Sequence, residues 1–227
     1  ALHNPRAEAA RASGCSFDDF LRLMQEDDAF DAPLTELGRA QALEAAHRHS
    51  GSLGGVQLVV SSPLSRALDT ALLVLREARA PLVANDLLRE RSGWLLNAKR
   101  RARSELGTLY AGVDFDGLES EADSLWGSEL EETTKCAERG YQLLMWLSQR
   151  SESEIAVVGH GGLFHYMLNE HPRVNADASA AARFANCELR SCTLAWEGIG
   201  RSRSFILHSL TTESCSTALT GQRKSFP

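Results

Sequence analysis

Apolar positions fall into two kinds of run along this chain. Short, nearly continuous runs occur at Val56-Gln-Leu-Val-Val60 and Glu154-Ile-Ala-Val-Val158. Such runs suit strands buried on both faces. Helix-spaced runs lie beside them. Pro33-Leu34-Thr35 leads into a helix from Glu36 to His49, with Thr35 placed to cap its start, Gly51 to stop it and His47, Arg48 and His49 at its favourable C-terminal end. After the first strand, Ser62 is placed to cap a helix with Pro63 at its first position, and Leu64, Leu68, Ala71, Leu72 and Leu75 recur at helical spacing. Ser128 to Arg150 predicts a long amphipathic helix with Leu130, Ala137, Tyr141, Leu144 and Leu147 on one face. Gly159-His160-Gly161-Gly162 turns the second strand into a helix over Leu163 to Leu168.

Between them, residues 81–127 carry no long period, and short helices and loops are expected there. Phe184 to Trp196 and Ser202 to Leu210 predict a hairpin around Gly198 and Gly200, and Thr211 to Pro227 a disordered tail. Strands alternating with helices predict a three-layer α/β/α fold with a mostly parallel sheet, the hairpin adding antiparallel strands at an edge. One domain over residues 1–210 and a tail over 211–227 follow.

Composition narrows the classes. The 227 residues are 43% hydrophobic and 24% charged, ordinary for a soluble globular protein. Lys plus Arg is 24 against 30 for Asp plus Glu, a net charge of −6, which argues against general nucleic-acid affinity. No apolar run approaches the ~20 residues needed to cross a bilayer, and no signal peptide is visible. The five cysteines, at 15, 136, 187, 192 and 215, are scattered and odd in number, which suggests reduced thiols and a cytoplasmic setting. His47 and His49 are splayed on their helix, and no metal-ligand spacing appears, so neither metal nor cofactor is expected.

Three segments carry chemistry-bearing residues. Ser61-Ser62-Pro63 joins a strand to a helix that bears Arg66 in its first turn. This is either an anion site, with free N–H groups and a planar guanidinium fork, or a capped helix with a surface arginine. His160 stands at the C-terminal end of a buried strand, where open α/β sheets place ligands, with glycines that allow close backbone approach. A turn histidine bonded locally is the alternative. Glu90 lies between Arg89 and Arg91, as a general acid beside an anion or as part of a solvated ion-pair cluster. The basic stretch Lys99 to Arg103 either steers an acidic substrate or is a solvated face.

Taken in order, these segments resemble the histidine phosphatase superfamily, with its phosphoglycerate-mutase-like fold. Asp31-Ala-Pro-Leu-Thr-Glu-Leu-Gly-Arg-Ala-Gln41 is similar to the family's Asp-x-Pro-Leu-Thr-x-x-Gly-x-x-Gln. Val60-Ser-Ser-Pro-Leu-Ser-Arg-Ala67 with Thr70 resembles its Ser-Pro-Leu-x-Arg-Ala-x-x-Thr, Leu88-Arg-Glu90 its acid segment, and Val158-Gly-His-Gly-Gly162 its second histidine. Ser104-Glu-Leu, Val113-Asp-Phe, Glu119-Ser-Glu and Phe184-Ala-Asn-Cys-Glu-Leu-Arg resemble its plant and fungal branch. Where that branch often carries Cys-Asp-x-Arg, this chain has Asn97-Ala98-Lys99-Arg100 and keeps only the arginine.

The resemblance implies a metal-independent phosphomonoester hydrolase acting on a small phosphorylated substrate through a phosphohistidine. Glu90, His160 and Arg66 would be catalytic, and Asn4, Arg66, His160, Gly161 and Arg100 would bind substrate. The family's nucleophile lies in an Arg-His-Gly, and an asparagine follows four residues later. Asn4 matches that asparagine, so Arg-His-Gly and its strand are expected just ahead of residue 1 and the chain reads as shortened. As written it would turn over negligibly, and it would expose strand edges that favour aggregation or a loose fold. Phosphoglycerate mutase and a non-catalytic phospho-ligand-binding protein remain as alternatives.

Overall fold

The computed structural model describes residues 5–26, 30–210 and 223–226. Two short helices open it, α1 (Pro5–Ala12) and α2 (Phe17–Leu23), where no regular element is predicted. They are followed by α3 (Glu36–His49), β1 (Leu58–Ser61), α4 (Ser65–Val74) and β2 (Leu82–Ala84). Two 3-10 turns, Asp86–Leu88 and Leu96–Ala98, precede α5 (Arg103–Leu109) and β3 (Val113–Asp114). Then come α6 (Thr133–Ser148), β4 (Ile155–Val158), α7 (Gly161–Glu170), β5 (Val174–Ala176), α8 (Ala178–Ala181), β6 (Cys192–Glu197), β7 (Ser204–Ser209) and β8 (Arg223–Phe226).

The first sheet is wholly parallel, in the order β3-β2-β1-β4. Its period-2 alternation separates two cores. Leu58, Val60 and Ile155 pack with Leu144, Leu147, Leu163 and Met167 of α6 and α7. Val59 and Ala156 face Ala71 and Leu75 at the α4 end. Helices therefore cover both faces, which is why β4 and, up to Ser61, β1 are apolar. The hairpin forms, with Leu194 opposite Leu207, but not at the edge of this sheet. It belongs to a second four-stranded sheet in the order β5-β7-β6-β8. Leu194, Phe205 and Leu207 share the core of α6 and α7, so one apolar cluster spans both sheets.

α3 starts where expected, the Thr35 hydroxyl accepting from the Gly38 N–H at 3.1 Å. Two other expectations need correction. The helix predicted from Ser128 begins only at Thr133, because the residues before it pair with the loop around Ser92. The Glu131 N–H donates to the Ser92 carbonyl at 2.8 Å, and the Ser92 N–H donates to Glu131 Oε2 at 3.0 Å. The strand predicted from Phe184 begins only at Cys192. There the Arg190 guanidinium reaches the carbonyls of Ala182 at 2.5 Å and Arg183 at 2.8 Å, and it stacks 3.9 Å from the Phe184 ring centroid. Those contacts bend the segment into a loop. The expected tail falls outside the described residues except for β8, which pairs antiparallel with β6. No helix among the described residues is long and apolar enough to cross a membrane.

Candidate active site

The C-terminal ends of β1 and β4 bring the site together. Their register runs Leu58 with Ile155 to Ser61 with Val158, and the Ser62 N–H continues it by donating to the Val158 carbonyl at 2.9 Å. Ser62 and His160 therefore leave the sheet side by side although 98 positions separate them. His160 has extended backbone (φ −128°, ψ 144°) and caps α7, its carbonyl accepting from the Phe164 N–H at 3.0 Å. Its Nε2 lies 2.9 Å from Ser62 Oγ, and both side chains are buried.

α4 starts at Ser65, three residues after the predicted cap. Ser62 does not cap it. Its hydroxyl instead accepts from the Leu64 N–H at 3.3 Å. The turn that starts α4 is held by Asp31, a fully buried carboxylate that accepts from the Ser65 N–H at 2.8 Å and the Ser65 hydroxyl at 2.6 Å. A carboxylate here also suits the positive end of the helix. Arg101 Nε approaches Asp31 at 3.1 Å. Burial pushes the Asp31 carboxyl above its ordinary value against the bonds from Ser65 and the charges of Arg66 and Arg101. Asp31 was legible only as part of a motif; its anchoring role needed the fold.

Arg66, in the first turn of α4, is buried and donates to the Asn97 carbonyl at 2.5 Å. Burial lowers its pKa from the ordinary arginine value, with Glu90 and Asp31 opposing and Arg89 adding to the shift. Glu90 comes from the loop after the first 3-10 turn and is half-buried, its Oε1 accepting from the Arg91 N–H at 2.9 Å. It leans over the start of α7 so closely that a Cβ built on Gly162 would lie 2.2 Å from Glu90 Oε1. A Cβ there would push the Glu90 carboxylate aside.

A second arginine fixes the Glu90 loop from behind. Arg139 of α6 donates to the carbonyls of Leu87 at 3.0 Å, Arg89 at 2.8 Å and Glu90 at 3.3 Å, while Glu131 holds it in an ion pair at 2.7 Å. Sequence reading placed Arg139 on a helix and gave it no role; only tertiary contact reveals it. Arg89 is fully buried and paired with Asp123, so the cluster read around Glu90 is not a solvated one.

Arg66, Glu90, His160 and Gly161 line one cavity of about 380 Å³. The rest of its lining is largely apolar and includes Leu144, Leu147, Val157, Met167 and Leu207, beside β4, which among the described residues is hydrogen-bonded to one strand, β1. Four of the expected site residues, Arg66, Glu90, His160 and Gly161 at the start of α7, thus line the same cavity. Arg100 does not join them. It is buried away from the cavity and donates to the carbonyls of Ser120 at 3.0 Å, Arg101 at 2.8 Å and Ala122 at 3.0 Å, which corrects the expectation that it binds substrate. Asn4 lies outside the described residues. Among the described residues no cluster of three or more His, Cys, Asp or Glu side chains is placed to hold a metal ion.

A guanidinium, an imidazole and the first N–H groups of a ten-residue helix around one opening are donors suited to a tetrahedral oxyanion. A carboxyl group beside them supplies or takes a proton.

The sequence pattern of the histidine phosphatase superfamily (branch 1) matches residues 24–201. The chain is 35% identical over 204 residues to Phosphoglycerate mutase-like protein 1 of Arabidopsis thaliana, covering 74% of this chain and 71% of that one. It is 30% identical over 206 residues to an Arabidopsis thaliana phosphoglycerate mutase-like protein, covering 76% of each. Among solved structures it resembles the ecdysone phosphate phosphatase of Bombix mori in complex with tungstate, with a TM-score of 0.52, 16% identity, and coverage of 86% of this chain and 77% of that one. That likeness concerns the fold.

Proposed function

The chain belongs to the histidine phosphatase superfamily, and from that premise we propose that the polar part of its cavity lining is the phosphoryl-binding and proton-donating part of a metal-independent phosphomonoester hydrolase. The convergence of Arg66, Glu90 and His160 on one opening carries this reading. Arg66 and His160 hold the equatorial phosphoryl oxygens and stabilise the charge that grows on them. As the histidine of the family's Arg-His-Gly forms a P–N bond and the ester P–O bond breaks, Glu90 gives its proton to the leaving oxygen; it then takes one from the water that cleaves the P–N bond and releases phosphate. Arg139 keeps the backbone of residues 87–90 in place while this happens. Asp31 does the same for the turn that carries Arg66.

The family's attacking histidine stands in an Arg-His-Gly, and none occurs among these 227 residues. His160 is the one histidine of the described residues that lines the cavity, and Ser62 engages it. The 227-residue chain is therefore expected to bind inorganic phosphate and to hydrolyse aryl phosphates negligibly. A chain with a strand and Arg-His-Gly fused ahead of Ala1 should be faster by several orders of magnitude. Equal rates for the two refute the assignment. With a phosphoglycerate as substrate, phosphate release supports the hydrolase and transfer to a second hydroxyl supports a mutase. Phosphate binding without turnover in both chains supports a phospho-ligand-binding protein.

A further inference from the structure

The contact between Ser62 and His160 carries a consequence for which ring nitrogen bears the proton. Ser62 is fully buried, and a buried hydroxyl must place its proton on an acceptor. Its oxygen already accepts from the Leu64 N–H. Among the described residues the acceptor within reach of its proton is His160 Nε2, at 2.9 Å. We propose that Ser62 is a positioning residue for His160. Its O–H donates to Nε2 and so holds the neutral imidazole as the Nδ1–H tautomer, rather than the Nε2–H form that an imidazole prefers in water.

The tautomer of a histidine is set by the bond its other nitrogen makes. With Nε2 committed to Ser62, the donor of the ring sits on Nδ1, and the ring rotation is fixed by a bond anchored in the sheet. A neutral N–H donor is the form that can face a phosphoryl oxygen without a proton first arriving from solvent. This rests on the reading of His160 as a phosphate donor, but the tautomer itself exists without any ligand. The parallel register explains why these two residues meet, since Ser62 extends the β1–β4 ladder by one position.

The test is a long-range ¹⁵N–¹H spectrum of the 227-residue chain at a pH where the His160 ring is neutral, assigned by loss of its signals in His160→Gln. The expected pattern is a protonated Nδ1 and a bare Nε2. Ser62→Ala should shift the ring to the Nε2–H form, and Ser62→Thr, which keeps the hydroxyl, should restore Nδ1–H. An Nε2–H ring in the unaltered chain overturns the proposal without any variant, and so does an Nδ1–H ring that persists in Ser62→Ala. Inorganic phosphate added to the unaltered chain decides the functional reading separately. A shift of the Nδ1–H proton supports the phosphate-donor role, and no response overturns that role while the tautomer result stands on its own.

Discussion

Replacing one glycine by alanine at two helical positions should change stability in opposite directions. Gly140 lies in α6 where that helix meets α7. A Cβ there would lie 2.5 Å from Met167 Cβ, 2.7 Å from its Cγ and 3.1 Å from its Sδ. Met167 Cβ is fixed by the α7 backbone, so no rotation of the side chain relieves that contact and the helices must separate. Overpacking of this kind costs about 1–3 kcal/mol. The intrinsic helix preference of alanine over glycine returns about 1 kcal/mol. With two contacts well inside van der Waals distance the upper end applies, so Gly140→Ala should lose about 2 kcal/mol net. Gly107, in the exposed helix α5, has no atom within 4 Å of its built Cβ, so Gly107→Ala should gain up to about 1 kcal/mol. For a chain of this size each kcal/mol moves the melting temperature by about 2–4 °C. The assay is thermal unfolding of both variants, with urea midpoints as a check on an unchanged slope. A Gly140→Ala midpoint equal to or above that of the parent refutes the close α6–α7 packing that fixes the helix behind His160.

Asp123→Ala should destabilise the fold by about 3 kcal/mol, the lower end for breaking a buried pair, because it removes the closer carboxylate of the fully buried Arg89 and leaves only Asp86 at 3.9 Å. Burial acts to raise the Asp123 carboxyl, but the bonds and charge of Arg89 and the N–H groups of Arg100 and Trp126 hold it below its ordinary value of 3.8. Its contribution is therefore present above that value and is lost as pH falls through the lower, folded-state value, and Asp123→Asn should flatten the acid limb of a stability–pH curve. An unchanged acid limb contradicts the pairing. In the chain fused to Arg-His-Gly, Gly162→Ala should displace the Glu90 carboxylate, whose Oε1 would lie 2.2 Å from the new Cβ. Turnover of an alkyl phosphate should fall about 100-fold, and that of an aryl phosphate, whose leaving oxygen needs its proton less, should fall less. Equal losses on both substrates contradict the proton-donor role of Glu90.

What could be read in the sequence follows the range of the forces involved. Local signals were sufficient for α3, whose cap lies three residues from its partner, and for β1 and β4, whose nearly continuous apolar runs require cover on both faces. The ends of β1 and β4 then located Arg66 and His160, since each follows a parallel strand that must end on the same side of the sheet. Features decided between distant residues were not legible. Ser62 has the form of a helix cap, yet its side chain turns to His160 once the register brings them together. Residues 128–132 carry a helical pattern, but the backbone bonds of Ser92 draw them into an extended pairing. Residues 184–191 look strand-like, but Arg190 collects the carbonyls of the chain before it. Arg100 illustrates the limit of matching by motif, because its guanidinium ties the 120–122 loop rather than reaching the cavity.

The most direct test of the site is an anomalous diffraction map of crystals of the 227-residue chain soaked in tungstate, a tetrahedral dianion. The expected result is a peak in the cavity with oxygens within hydrogen-bond reach of Arg66 and His160 and beside Glu90, absent in Arg66→Ala. A cavity that stays empty, or an ion bound elsewhere with these three side chains turned apart, contradicts the assignment.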